Sequence, residues 1–213
     1  MSDPREADRA ARHAAQREFS HPLVLEAGAG TGKTTTLVAR ILSWCLGVGW
    51  ERARERLCRP ARPGAGATEP TVEHVAAEVL SGVVAITFTE AAAAEMADRV
   101  AEDLARIAGG FGELPGWLDP EPLPPGPERV ARARALVGTL DHLAVRTIHA
   151  FCRGLLAAYP LEAGRHPSLT VDADGQLLES IAREAVESRL REGYGDPGDP
   201  DLLALAARGF GPP

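Results

Sequence analysis

The residues with the clearest chemical use stand at 26–35, Glu-Ala-Gly-Ala-Gly-Thr-Gly-Lys-Thr-Thr. Gly28, Gly30 and Gly32 let the main chain turn tightly, so that successive N–H groups can point inward at phosphate oxygens. Lys33 follows as a cation for β- and γ-phosphates, and Thr34 offers a hydroxyl to Mg²⁺. Ala27, Gly28, Ala29, Gly30, Thr31, Gly32, Lys33, Thr34 and Thr35 together read as a cradle for a nucleoside triphosphate. The strict form of this pattern has glycine where the chain has Ala27, a departure the backbone should tolerate. The plainer alternative is a glycine-rich turn followed by a chance Lys-Thr pair.

Such a loop needs a strand before it and a helix after it. The apolar run Leu23–Leu25 predicts a short buried strand, and the stretch from Lys33 toward Leu46 predicts a helix whose positive dipole end faces the loop. Leu37, Ile41, Leu42, Trp44 and Cys45 follow helical spacing and read as core packing.

The chain has 213 residues, 45% hydrophobic and 25% charged, as expected of one sizeable globular domain or a domain and part of another. No apolar run approaches the roughly eighteen residues of a membrane span. The charged start, Met1 to Arg12, lacks the apolar core of a secretory signal, which points to a cytoplasmic protein. Three cysteines, Cys45, Cys58 and Cys152, show no paired metal spacing and read as free thiols. The net charge of -7 argues against a globally basic nucleic-acid coat but leaves room for a basic groove, since charge is felt over only about 8 Å.

Taken in order, residues 5–19 are helix-prone. Residues 51–82 read as a surface insertion with a flexible loop, carrying Arg52, Arg54, Arg56, Arg59 and Arg62, either phosphate contacts or a solvated basic helix. The β-branched run Val83–Thr89 predicts a second buried parallel strand, and a helix over 91–108 follows. Residues 109–128 form a proline-rich surface loop, 128–136 a helix, 144–148 a third strand and 149–159 a helix. This alternation predicts an α/β fold with a parallel sheet. Past Pro160 an apolar run at 169–171 precedes an amphipathic helix with Leu177, Leu178, Ile181, Ala185 and Leu190 on one face, and a final short helix.

Three segments together resemble the N-terminal part of a superfamily I DNA helicase of the UvrD/Rep type, nearest its RecB/AddA-like branch. They are residues 26–34, Ile-Thr-Phe-Thr-Glu-Ala-Ala-Ala-Ala-Glu-Met at 86–96, and Thr-Ile-His-Ala-Phe-Cys at 147–152. The resemblance runs over about residues 10–191. It implies a P-loop NTPase fold in which 1–160 is a first RecA-like ATP-binding lobe and 161–213 the start of an inserted helical subdomain, cut short. It implies ATP and Mg²⁺ as cofactors and single-stranded DNA as partner. It also implies a second RecA-like lobe outside the chain, and leaves room for a helicase–nuclease partner subunit.

By the same resemblance, Thr87 and Thr89 would bond DNA phosphates and Phe88 would stack on a base. Without it, Phe88 reads equally well as a buried strand residue. Thr147, His149 and Phe151 would form a second DNA contact at the end of the third strand, where ligands of open parallel sheets gather. His149 and Cys152 alone suggest a metal pair or a thiol nucleophile; two ligands make no zinc site, so a buried cysteine and a DNA-facing or capping histidine are the better readings.

Two departures stand out. The family's adenine-reading glutamine falls at Arg12, with Gln16 near but out of register, and Glu90-Ala91 replaces the usual Asn-Lys. The family's acidic Mg²⁺ motif and the arginine motifs of its second lobe are missing, so no complete catalytic set is expected. Asp172 and Asp174 superficially resemble a magnesium carboxylate. They leave open a stand-alone P-loop ATPase using Asp172, and a third reading is a strand-binding fragment that hydrolyses nothing.

Overall fold

A computed structural model describes residues 4–28, 30–59, 69–110, 114–166, 176–193 and 199–209. The expected apolar run at 169–171, Asp172, Asp174, Arg62 and Ala29 lie outside them, as does the side chain of Leu190. The chain divides into two units, residues 1–154 and 155–213.

The first unit is built on helices whose apolar residues recur every three or four positions. α2 (Lys33–Leu46) buries Val38, Ile41, Leu42, Cys45 and Leu46; α4 (Val72–Ser81) buries Val75, Val79 and Leu80; and α5 (Glu90–Ala108) buries Met96, Val100 and Leu104. Each stripe covers one side of its helix, and together with α6 (Gly126–Val137) they form one core. Thr71 and Thr89 fix the starts of α4 and α5 by accepting from the amides of His74 (3.3 Å) and Ala92 (3.1 Å).

Residues 51–82 are not a surface insertion throughout. α3 (Val48–Cys58) buries Trp50 and Ala53, and α4 lies in the core, so the helices flanking residues 60–68 are structural. Arg132 of α6 ties α2 and α3 to α6: its guanidinium donates to Leu46 O at 2.8 Å and pairs with Glu51 and Glu128. The proline-rich stretch is irregular but also packed, with Leu118 and Asp119 buried.

The sheet has two parallel strands among the described residues. β1 (Val84–Thr87) pairs with β2 (Ala144–Thr147), with Val84 opposite Ala144 and Thr87 opposite Thr147. Ala85 and Val145, register partners, pack against the core, whereas Val84 and Ile86 are half exposed. β1 is therefore covered on one face rather than buried on both. Leu23–Leu25 does not form a strand: no backbone partner flanks it among the described residues, and Val24 is 86% exposed. A strand is stabilised only by a neighbour's amides and carbonyls, and apolar sequence does not replace that neighbour.

α1 (Pro4–Arg17) is tied to this unit at its carboxyl end. Arg40 of α2 donates to Ala15 O (2.5 Å) and Glu18 O (2.8 Å) and lies over the Phe19 ring. Gln16 is buried, donating to Trp117 O (2.9 Å) and accepting from Asp119 N–H (2.7 Å). The Asp119 carboxylate accepts from Arg17 and meets His13 Nδ1 at 2.6 Å.

α7 (Ile148–Ala158) crosses the boundary between the units. The second unit holds α8 (Gln176–Gly193) and α9 (Pro200–Ala207). Leu177, Leu178 and Ile181 of α8 are more than half exposed, so the amphipathic pattern is present but its apolar side is largely open.

Candidate functional site

The glycine loop leads straight into α2, whose first residue is Lys33. Gly30 has φ 74° and Gly32 φ 85°, left-handed conformations that a side chain would strain, and Gly32 is the residue before the helix. Three carbonyls of the loop are held. Lys33 Nζ donates to Ala27 O (2.6 Å), Thr31 Oγ1 to Gly28 O (2.8 Å), and Arg12 Nη2 to Thr31 O (2.8 Å). With carbonyls turned to these donors, amides are left for a ligand, and the first-turn N–H groups of α2 have no intrahelical acceptor. Lys33 is exposed, while Thr34 and Thr35 are half-buried in that first turn.

Beside the loop lies a cleft of about 290 Å³, walled by Ala27, Thr31 and Lys33 on one side and by Asp8, Ala11 and Arg12 of α1 on the other. Asp8, Ala11 and Arg12 recur at helical spacing, a signal present in the sequence that only the docking of α1 makes meaningful. Register counting puts Arg12 at the family's glutamine position, and the structure sets Arg12 against the loop. Gln16 is withdrawn into the contact with 117–119 and cannot face a ligand in this cleft.

The second and third segments meet at the carboxyl ends of the two strands, because Thr87 and Thr147 are register partners. Phe88 is 90% exposed, which removes the reading of it as a buried strand residue. Thr87 Oγ1 donates to Thr89 O at 2.9 Å. Thr89 Oγ1 accepts from Ala92 N–H, and its own proton is left to donate. Thr147 is different: it is buried, its Oγ1 donates to the Glu90 carboxylate at 3.0 Å and accepts from Ala150 N–H at 3.2 Å. Both hydroxyl functions are used inside the protein. The cap of α7 is thus Thr147 rather than His149, which is exposed, while Phe151 is half-buried.

Cys152 is exposed, contrary to the buried expectation. Cys45 is the buried thiol, its pKa pushed up to about 12 by burial. Among the described residues no three His, Cys, Asp or Glu side chains group as a metal site, and no helix is long and apolar enough to cross a membrane.

The chain is 32% identical over 184 residues to the A subunit of the ATP-dependent helicase/nuclease of Desulforudis audaxviator, covering 86% of this chain and 12% of that protein. It is 27% identical over 183 residues to the protein of that name in Geobacillus kaustophilus (86% and 11%), and 29% identical over 191 residues to that of Moorella thermoacetica (88% and 11%). It thus spans about a ninth of the length of these relatives. The model of the UvrD/REP helicase N-terminal domain matches residues 8–193, which include the glycine loop, both strand ends and α8. The chain therefore belongs to the UvrD/REP helicase N-terminal domain family.

Proposed function

We propose that residues 1–160 are the first RecA-like, P-loop ATP-binding lobe of an ATP-dependent DNA helicase or translocase, and that 161–213 open its helical subdomain. The motor would act on single-stranded DNA in recombination or repair, in the cytoplasm. The observation that carries this reading is the glycine loop, with three carbonyls held by Lys33, Thr31 and Arg12 and two glycines in left-handed conformations at the start of α2.

In this reading the N–H groups from Ala27 to Thr35 hold the phosphates, Lys33 leaves the Ala27 carbonyl for the β- and γ-phosphates, and Thr34 holds Mg²⁺. Bound Mg²⁺ neutralises charge that develops on the phosphate oxygens. Phe88 stacks on a base, Thr89 donates to a backbone phosphate beside Thr87, and His149 and Phe151 line the same path. Thr147 acts from beneath, as a hydroxyl that joins the end of β2 to the start of α5, so a supporting role takes the place of its expected DNA contact.

Phosphoryl transfer is mostly positioning and charge stabilisation, and an arginine from an opposing lobe can be worth about 10³–10⁵ in rate. This chain alone should bind nucleotide and turn it over slowly. The relatives carry the name of one component of a helicase/nuclease, which supports a helicase–nuclease partner for this chain as well.

The test is ATP turnover by the 213-residue chain with and without single-stranded DNA, alongside nucleotide titration of the chain and of Lys33→Ala. Binding that Lys33→Ala abolishes, with negligible turnover, is expected. Unchanged affinity in Lys33→Ala would remove the site assignment, and robust turnover would mean a complete ATPase site in this chain.

A further inference from the structure

Arg12 is the residue by which α1 reaches the glycine loop. Its guanidinium makes two directed bonds, Nη2 to Thr31 O at 2.8 Å and Nε to Asp8 Oδ2 at 2.9 Å. Its Nη1 also stands 3.3 Å from where a Cβ on Gly32 would be, so the guanidinium lies against the residue that opens α2. The other two loop carbonyls described above are held from within the loop, by Lys33 and Thr31. Arg12 supplies the hold from another element, and that element is itself anchored through Gln16, Arg17 and Arg40.

We propose that Arg12 is a positioning residue of the nucleotide site: it fixes the tip of the phosphate loop through the Thr31 carbonyl, with Asp8 orienting its guanidinium, and so serves any nucleotide by its phosphates rather than by its base. This rests on the reading of the loop as a nucleotide site and adds a residue to it.

The chemistry favours this over a direct reading of the base. A guanidinium already donating to a carboxylate and a carbonyl has spent its Nε and one Nη2 proton on the protein, and its plane is set by those two partners. Fixing the Thr31 carbonyl fixes the peptide plane it shares with the Gly32 N–H, and so the direction of a loop amide on which phosphate binding depends for every nucleotide alike. A lysine at this position could reach one acceptor but not both in a fixed plane.

The experiment titrates ATP, ADP and GTP into the 213-residue chain, into Arg12→Ala, Arg12→Lys and Asp8→Asn, and into Lys33→Ala as a reference, and records the melting temperature of each without nucleotide. The expected result is that Arg12→Ala weakens all three nucleotides by about tenfold. Its melting temperature stays near that of the parent, since the Arg12 side chain is 39% exposed. Arg12→Lys should recover part of the loss, and Asp8→Asn should weaken all three by about twofold.

Unchanged affinity in Arg12→Ala, while Lys33→Ala abolishes binding, overturns the proposal and leaves the nucleotide site standing. A loss confined to ATP and ADP, with GTP unaffected, also overturns it, because Arg12 would then read the base. A lowered melting temperature in Arg12→Ala with no effect of Asp8→Asn or Arg12→Lys on affinity would make Arg12 a folding residue only, which overturns it too. No effect of Lys33→Ala would remove the site and this proposal together.

Discussion

Thr147 Oγ1 donates to the Glu90 carboxylate at 3.0 Å while accepting from Ala150 N–H at 3.2 Å, so one buried hydroxyl joins the end of β2 to the start of α5 and caps α7. Thr147→Val keeps the shape but removes the cap and leaves Glu90 without that donor. It should cost about 1–2 kcal/mol, read as a lower urea midpoint, whereas Thr147→Ser should recover most of it. A valine variant as stable as the parent would show that the link carries no stability.

Phe88 stands in solvent at the tip between β1 and α5, and truncating it removes nothing from the core. Phe88→Ala should leave the melting temperature unchanged and weaken binding of a labelled oligothymidine by about tenfold or more, the range of one lost base stack. Fluorescence anisotropy at fixed salt reads this directly. Equal affinities would exclude Phe88 from the DNA path.

Asp119 couples α1 to the proline-rich stretch. Burial alone would raise its pKa, but hydrogen bonds from Arg17 and His13 outweigh burial and bring it down to about 2. A carboxyl with a depressed folded pKa contributes stability that is complete above its ordinary value, near 4, and is lost as pH falls through 2. Asp119→Asn should therefore cost about 2 kcal/mol at neutral pH, and the gap to the parent should close between about pH 4 and pH 2. Denaturant midpoints across that range check it; a gap constant with pH would mean the ion pairs contribute nothing.

Gln16 satisfies a partly buried carbonyl and a buried amide at once. Gln16→Ala should destabilise the chain by about 2–3 kcal/mol through those two unpaired groups, and leave the ratio of ATP to GTP affinity unchanged. A shifted ratio would restore Gln16 as a base reader.

Val84 and Ile86 are half exposed, and β1 has β2 as its one strand neighbour among the described residues. A groove of about 340 Å³ also lies between β1 and α2, lined by Ile86, Leu37, Ile41 and Trp44. Open edges and apolar faces of this kind pair with other chains. The isolated chain should show concentration-dependent association by light scattering, and Val84→Lys should reduce it. A parent that stays monomeric at high concentration would contradict this.

Residues close in sequence determined much of this protein on their own. The spacing of Ile41, Leu42 and Cys45 specified the buried side of α2, although Leu37 of the same pattern is exposed and Trp44 only partly buried, and Gly30, Gly32 and Lys33 specified a turn into a helix start, because both depend on backbone geometry over a few residues. Residues 84–87 and 144–147 were legible as strands of a parallel sheet, although their pairing with each other and the one-sided burial of β1 were not. Tertiary structure alone decided the rest. Leu23–Leu25 has strand composition but lacks a flanking strand among the described residues. Thr147 carries a residue type suited to a DNA contact but is turned inward to Glu90, and Cys152 is exposed. Arg12 and Gln16 lie one helical turn apart, yet one reaches the loop and the other a buried contact, because the docking of α1 sends neighbouring positions to different partners. Local spacing determines which residues share a side of an element; which partner meets that side depends on contacts far apart in the chain.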